Sequence, residues 1–218
     1  MSAMAVEKYR ERVKSEKRAA ALAAAGRAFL SHGYDRTTLA HVAREAGIST
    51  GTLFKHFPTK AALFEGIMEE LWEVDPELQR PLPPAGNPTA GLTAIGHDYA
   101  GKLRQPDTGP LFRVIIAEAP RFPELGQALF LRGKAPYLNR LHAYLRSEIA
   151  AGTMDIHDVP LAARQFLGMI NDLIFWPTFL AADQVVDDAE VGRVIDEAVR
   201  TLLARYGRPV KDGAARPA

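Results

Sequence analysis

The chain of 218 residues contains no cysteine. This absence excludes disulfide frameworks, metal sites with thiolate ligands and enzymes that use a thiol nucleophile. No apolar run approaches the roughly 18 residues of a membrane-spanning helix, because Asn171 and Asp172 interrupt the longest stretch. The amino-terminal segment mixes glutamates with basic residues and is a poor signal peptide. We therefore expect a cytoplasmic protein that has no membrane partner.

Two further patterns are missing. No stretch alternates between apolar and polar residues for long enough to predict a sheet, and none of the six histidines has the spacing of a metal site such as H-E-x-x-H. We expect neither a metal nor a cofactor. Hydrophobic residues make up 47% of the chain and charged residues 24%, which is typical of a globular protein with one large or two small domains.

The net charge of +1 conceals an asymmetry along the chain. Residues 1–60 contain 11 Lys and Arg against 5 Asp and Glu, whereas residues 61–218 contain 16 against 21. A basic amino-terminal quarter on an acidic body indicates a contact with a polyanion at one end. On charge alone, solvated helix faces remain an equally good explanation.

Apolar residues recur at helical spacing almost everywhere, which predicts an all-α fold of about nine helices. The first helix is predicted from Arg18 to a stop at Gly33, and the next three begin at the capping residues Thr38, Ser49 and Thr59. The later helices are predicted at 89–104, 110–119, 123–151, 159–182 and 188–206.

The segment 75–88 holds five prolines and a glycine, and proline at that density breaks helices. We therefore place the domain boundary in this segment. The predicted organisation is a first helical domain at 1–74 with a basic arm at 1–17, a proline-rich linker at 75–88, a second helical domain at 89–207, and a disordered tail at 208–218.

Residues 37–64, TTLAHVAREAGISTGTLFKHFPTKAALF, carry the strongest functional signal. They predict a helix, a tight turn at Gly47 and a short helix that begins with small polar residues. A helix that enters a major groove needs small hydrogen-bonding side chains at its amino-terminal end, and basic or hydroxyl groups beside it for phosphates. The pattern therefore indicates binding to double-stranded DNA, with an ordinary three-helix bundle as the alternative.

This segment resembles the DNA-binding domain of the TetR family of bacterial transcriptional regulators. Residues 18–64 match along their whole length, including the run A-x-x-A-G-x-S-x-G-T-L-[YF]-x-H-F-x-[ST]-K. Phe54 stands where the family usually has tyrosine, so a hydroxyl group that would contact a phosphate is missing. The carboxyl-terminal half, particularly IIAEAPRFPEL and QFLGMI, is similar to the AefR-like subgroup of that family.

The resemblance implies a ligand-responsive repressor that acts as a homodimer and leaves a pseudo-palindromic operator when a hydrophobic or aromatic small molecule binds. The residues predicted to contact base edges are Thr50, Gly51, Thr52 and Lys55. Those predicted to contact phosphates are Thr38, Arg44, Phe54, His56 and Lys60. The basic arm is a candidate for the minor groove, which attracts Arg and Lys.

The resemblance implies that 1–74 is a helix-turn-helix DNA-binding domain and that 89–207 is a helical regulatory and dimerisation domain. Two more sites are predicted in the regulatory domain. The ligand pocket is predicted to be apolar with a few polar anchors, and its residues are His97, Phe112, Arg113, Ile116, Phe166, Met169, Ile170, Asn171 and Trp176. The last two helices carry more apolar residues than one buried stripe requires, which predicts a two-fold interface. Its residues are Leu173, Pro177, Leu180, Val191, Val194, Ile195, Val199, Leu202 and Leu203.

The main alternative is a small all-helical enzyme that uses the carboxyl-terminal cavity as a substrate site; a DNA-binding architectural protein without a ligand is a third. GISTG at 47–51 fits the nucleophile elbow G-x-S-x-G, but that elbow needs a preceding strand, and residues 39–46 have a helical period. GHDYAGKL at 96–103 nearly completes a phosphate-binding loop, but Leu103 replaces the hydroxyl residue that binds magnesium. No catalytic constellation is complete, so we expect no catalytic residues and no enzyme.

Overall fold

The computed structural model describes residues 3–72, 84–181 and 184–208, and in these ranges it contains nine helices and no strand. The helices are α1 (Ala3–His32), α2 (Leu39–Glu45), α3 (Thr50–His56), α4 (Lys60–Trp72), α5 (Pro88–Leu103), α6 (Thr108–Glu118), α7 (the consecutive segments Pro123–Ala128, π-helical Leu129–Lys134 and Ala135–Ala150), α8 (Val159–Leu180) and α9 (Asp188–Tyr206). The predicted all-α fold is confirmed.

Side-chain caps begin the helices where the sequence predicts them. Thr38 Oγ1 accepts from His41 N at 3.2 Å, and Ser49 Oγ accepts from Thr52 N at 3.1 Å. Thr59 Oγ1 accepts from Ala62 N at 3.0 Å. Each cap satisfies one amide that the helix itself leaves without a partner.

The first helix is longer than predicted, since α1 begins at Ala3 rather than at Arg18. The added segment is rich in Ala, Glu, Lys and Arg, which are strong helix formers. Ion pairs along the helix support it, with Arg12 3.4 Å from Glu16 and Lys14 3.9 Å from Glu11. The predicted basic arm is therefore the first half of a helix from residue 3 onward.

Most of the predicted linker and nearly all of the predicted tail, residues 75–83 and 209–218, lie outside the described residues. The described structure resumes at Pro84, and α5 begins at Pro88. Asn87 caps this helix, because its Oδ1 accepts a hydrogen bond from Ala90 N at 3.1 Å. Proline suits this first helical position because its missing N–H would have no partner there.

The chain divides into two compact units, and the first combines Met1–Glu73 with Pro110–Ala135. It therefore contains the predicted DNA-binding domain together with most of α6 and the start of α7. Its core includes a cluster of rings, with Phe29 5.2 Å from Tyr34 and 5.9 Å from Phe64 between centroids. All three side chains are buried.

The second unit combines Val74–Gly109 with Pro136–Ala218. Helix α9 packs closely on α5: a β-carbon built on Gly96 would lie only 2.7 Å from Ile195 Cγ2, so the absence of a side chain at residue 96 allows the contact. Several residues predicted at the dimer interface are buried inside this unit, namely Val191, Val194, Ile195, Val199 and Leu202. They offer almost no surface to a second chain, because the protomer's own amphipathic packing already covers them.

Candidate nucleic-acid interface

A tight turn joins α2 to α3. Gly47 has a φ of +65°, in the left-handed region that favours glycine, and Ile48 N donates to Ala43 O at 3.0 Å. Val42 and Leu53 are buried, so the two short helices are fixed against the core of the first unit. Helix α3 is thereby held with one face buried and the other in solvent.

The outward face of α3 carries the residues predicted to contact bases. Thr50, Gly51 and Lys55 are exposed. Thr52 is half-buried, and its hydroxyl group lies 2.8 Å from Ser49 Oγ. No atom outside the helix lies within 4 Å of a β-carbon built on Gly51, so the backbone at this point is open to a ligand.

Phe54 shares this outward face, and 48% of its surface is exposed. Burial therefore does not explain why a large apolar ring stands in the middle of the helix. Arg44 on α2 is also exposed, and its Nη2 lies 3.2 Å from His41 Nδ1. The hydroxyl group of Thr38, another predicted phosphate contact, accepts from the first turn of α2.

Lys60 has a different environment from the other predicted phosphate contacts. Its Nζ donates to Tyr34 O at 2.6 Å and to Asp35 O at 3.0 Å, and lies 4.4 Å from the centre of the Tyr34 ring. Burial lowers the pKa of Lys60, although nearby carboxylates act in the opposite direction. This ammonium group holds the turn after α1 against the start of α4 and retains one N–H for a further partner.

His56, at the end of α3, lies beside the basic residues of α1. Burial lowers the pKa of His56, and the positive charges of Lys14, Arg18 and Lys17 lower it further. Arg18 also lies over the ring of Phe57, 5.5 Å from its centre. The sequence interpretation missed this grouping because it treated 1–17 as an arm, although the i, i+3, i+4 spacing of the three basic residues already predicts one helix face.

The predicted ligand-pocket residues fall in both units. Phe112, Arg113 and Ile116 belong to the first unit and the remaining six to the second. Within the second unit Phe166 and Ile170 are fully buried, whereas Trp176 and His97 are exposed. Met169 and Asn171 are half-buried.

An apolar stripe on α8 is exposed. Leu173, Trp176 and Leu180 are 50%, 39% and 76% exposed, and the half-buried Pro177 lies between them. Their i, i+3, i+4, i+7 spacing places all four on one side of the helix. Large apolar side chains grouped in this way indicate a surface that binds another molecule.

Among the described residues there is no group of three His, Cys, Asp or Glu side chains that could hold a metal ion. No helix in the described ranges is long and apolar enough to cross a membrane.

Comparison with family models gives two matches. Residues 21–67 match the model of bacterial regulatory proteins of the tetR family, and residues 90–208 match the model of the AefR-like transcriptional repressor C-terminal domain. The second match alone covers more than half of the chain.

Curated relatives match the amino-terminal part. The chain is 42% identical to the HTH-type transcriptional regulator TtgR of Pseudomonas putida over 65 residues. These residues make up 30% of this chain and 31% of that protein. It is 42% identical over 43 residues to the nucleoid occlusion factor SlmA of Vibrio cholerae, 20% of this chain and 22% of that one. The chain thus spans less than a third of the length of these relatives.

Solved structures match over most of the chain. A TetR-family transcriptional regulator from Mesorhizobium loti superposes with a TM-score of 0.70 and 26% identity, covering 89% of this chain and 98% of that one. The flavonoid-responsive regulator FrrA superposes with a TM-score of 0.72 and 25% identity, covering 88% and 98%.

Proposed function

Because the chain belongs to the TetR family of bacterial transcriptional regulators, we propose that it is a cytoplasmic repressor that binds a pseudo-palindromic operator as a homodimer and leaves it when a hydrophobic small molecule binds. The observation that carries this proposal is the geometry of α2 and α3. The turn at Gly47 holds α3 with Thr50, Gly51 and Lys55 in solvent at its free face, as a recognition helix requires.

The residues on α3 suit different parts of the groove. Lys55 can donate to the O6 and N7 atoms of guanine, and the threonines can contact a thymine methyl group or a base edge. Thr38, Arg44 and His56 surround this face as phosphate contacts, with the remaining N–H of Lys60 as another. Phe54 lacks the hydroxyl group that would bind a phosphate, so its exposed ring is assigned to apolar contact with sugar or thymine methyl groups.

The exposed stripe on α8 supports the homodimer. A two-fold axis brings the same surface of each chain together, so one apolar stripe is sufficient to form a self-complementary contact. Leu173, Trp176 and Leu180 are its centre, because the apolar residues of α9 are already buried. A two-fold dimer presents two recognition helices, which accounts for a pseudo-palindromic operator.

The effector class is proposed from the second unit. On α8 the half-buried Met169 and Asn171 offer an apolar side chain and a polar anchor, next to the buried apolar residues Phe166 and Ile170. The structural relative FrrA is described as flavonoid-responsive, so flavonoids and other aromatic compounds are the first probes to screen by thermal shift. Linkage requires that the effector bind the DNA-free form more tightly, by the same factor that it weakens DNA binding. If none of these compounds raises the melting temperature, the predicted pocket has no support.

The enzyme alternative is set aside, because the family and the neighbours of this chain are transcriptional regulators. The two enzyme-like motifs also have structural roles. Ser49 caps α3 through Thr52 N, and residues 96–103 lie inside α5 and form no loop.

The test is a mobility-shift assay on the DNA upstream of the gene, in a fragment that contains an inverted repeat. The wild type should bind this fragment in preference to random DNA of equal length. Thr50→Ala should relax specificity at one operator position by about 1–3 kcal/mol, whereas Thr201→Ala, an exposed threonine on α9, should change nothing. Equal affinity of the wild type for all sequences would contradict the proposal.

A further inference from the structure

A cavity of about 250 Å³ opens where α1 ends and α2 begins. The side chains that line it are Ser31, His32, Arg36, Thr37 and His41. All five are polar and none is acidic. The cavity lies entirely within the first compact unit, on the side of α2 that carries His41, and the predicted DNA contacts include none of its lining residues.

Two of the lining side chains, Thr37 and Arg36, are held in place by hydrogen bonds to carbonyl groups at or just after the end of α1. Thr37 is 3% exposed, and its Oγ1 lies 3.2 Å from Ala28 O and 2.8 Å from Gly33 O. Arg36 Nε donates to His32 O at 2.9 Å. These bonds fix the positions of the Thr37 side chain and of the Arg36 guanidinium group.

Arg36 keeps donors for a ligand. Among the described residues its side chain makes one hydrogen bond, which uses Nε, and it takes part in no ion pair. Asp35, the acid next to it in sequence, is paired instead with Arg121 at 3.1 Å. The two terminal nitrogens of Arg36 therefore remain for an anion, and an arginine fork is suited to two oxygens of a phosphate.

The two histidines form the other side. The ring centroids of His32 and His41 are 5.0 Å apart in an edge-on contact. His41 Nε2 lies 2.8 Å from Glu45 Oε1, and its Nδ1 lies 3.2 Å from Arg44 Nη2. Glu45 is thus the acid that pairs with His41, and Arg44 lies at the opposite nitrogen of the same ring.

From this arrangement we propose that the cavity binds a phosphate group, with Arg36 as the charged ligand and Ser31 and His32 as hydrogen-bonding partners. The expected source is a phosphodiester of the DNA backbone, since the first helix of a helix-turn-helix crosses the backbone and Arg44 and Thr38 flank His41 on α2. This source rests on the proposed function. Free inorganic phosphate offers the same chemistry, and the experiment separates the two.

The first arm measures binding to a random-sequence DNA duplex by fluorescence anisotropy at salt concentrations from about 50 to about 200 mM, because log K falls linearly with log salt. Each phosphate contact contributes about 0.9 to the slope of log K against log salt. Arg36→Gln should lower that slope by about 0.9 for each chain engaged, which corresponds to about an eightfold loss of affinity per contact at 0.1 M salt. Arg36→Lys keeps the charge and should retain most of the slope.

The matched control is Arg205→Gln, which changes the net charge equally at an exposed position of α9 in the other unit. Its slope should equal that of the wild type. Circular dichroism and the melting temperature identify a variant that has lost its fold, and Ser31→Ala then serves as the second variant, with an expected loss of affinity at an unchanged slope.

The second arm titrates inorganic phosphate into the DNA-free protein and follows the ring resonances of His32 and His41 by NMR, with chloride at equal ionic strength as the control. Ring shifts with phosphate that disappear in Arg36→Gln support the site. If they occur while the DNA slope of Arg36→Gln stays at the wild-type value, the source is free phosphate.

An unchanged slope together with no phosphate-dependent ring shift overturns the proposal. If the wild type binds no duplex but the rings respond to phosphate, the proposed function fails and the phosphate site stands.

Discussion

Gly91 on α5 and Tyr144 on α7 are so close that a β-carbon on residue 91 would lie 1.7 Å from Tyr144 Oη. The hydroxyl group of Tyr144 donates to Glu148 Oε1 at 2.6 Å, and Glu148 is fully buried. Its other oxygen, Oε2, accepts from Thr153 Oγ1 at 2.6 Å and from Gly86 N at 3.0 Å. Burial and this hydrogen bond raise the pKa of Tyr144, so the hydroxyl group remains a donor to the carboxylate.

Gly91→Ala should destabilise the protein by at least about 1–3 kcal/mol, the usual cost of overpacking. The reason is that Tyr144 must move, which also removes a donor from the buried carboxylate of Glu148. Chemical denaturation measures the change. The control is Gly101→Ala in the same helix, where a β-carbon meets nothing within 4 Å; it should stabilise by up to about 1 kcal/mol. Equal effects of the two substitutions would contradict the steric explanation.

Lys60→Ala should weaken binding to all DNA sequences alike and lower the salt slope by about one unit. It should also lower the free energy of unfolding, because Lys60 Nζ binds the carbonyl oxygens of Tyr34 and Asp35. Salt-dependent anisotropy and denaturation measure the two effects separately. A lower stability with an unchanged salt slope would show that Lys60 holds the turn and does not contact a phosphate.

DNA affinity should rise as the pH falls from about 7.5 to about 5.5, and His56→Gln should reduce this rise. The pKa of His56 in the free protein is below its ordinary value of 6.5 because of burial and the cations of α1. A DNA phosphate beside the ring raises that pKa again, so binding takes up a proton. Each unit by which the phosphate raises the pKa of His56 increases the DNA affinity about tenfold at low pH.

The same shift has the opposite consequence for folding. The unfolded chain protonates at the ordinary value of 6.5, so it binds more protons than the native state just below that pH. The contribution of His56 to stability is therefore lost as the pH falls through this range. Identical pH profiles of affinity for the wild type and His56→Gln would rule out a phosphate contact at His56.

Leu173→Glu combined with Leu180→Glu should give folded monomers that bind the operator weakly. Both side chains are exposed in the protomer, so glutamates there cost little in folding but introduce like charges across a two-fold contact. Light scattering coupled to size-exclusion chromatography at micromolar concentration measures the mass. Arg164→Glu, an exposed change on α8 at an angle of about 180° from Leu173, should remain dimeric. A monomeric wild type would end the dimer proposal.

Deletion of residues 2–12 should lower DNA affinity with little change in melting temperature. The deletion removes Lys8, Arg10 and Arg12, which are exposed on the first turns of α1, and leaves Lys14 and Lys17 beside His56. The comparison is made at physiological salt with the full chain and with a Lys14→Gln, Lys17→Gln variant, which should lose more. Unchanged affinity of the deleted protein would show that this segment does not contact DNA.

The sequence determined the local structure, because the signals for it are local. Helical periodicity and the caps at Thr38, Ser49 and Thr59 predicted α2, α3 and α4, and the structure confirms each cap. The motif around Gly47 predicted the family, which the comparisons confirm. The predicted start of α1 was wrong because basic residues were interpreted as an arm, although their helix propensity and ion pairs make them helical.

Only the tertiary structure decided which apolar residues remain exposed to solvent and which polar residues lie next to one another. Amphipathic patterns show that α8 and α9 have apolar faces, but not that α5 covers Ile195 while Leu180 stays in solvent. The cavity between His32 and His41 has the same origin, because its residues come from two helices and the turn that joins them. Burial and proximity depend on how helices pack, and a sequence period specifies the face of a helix without specifying its neighbour.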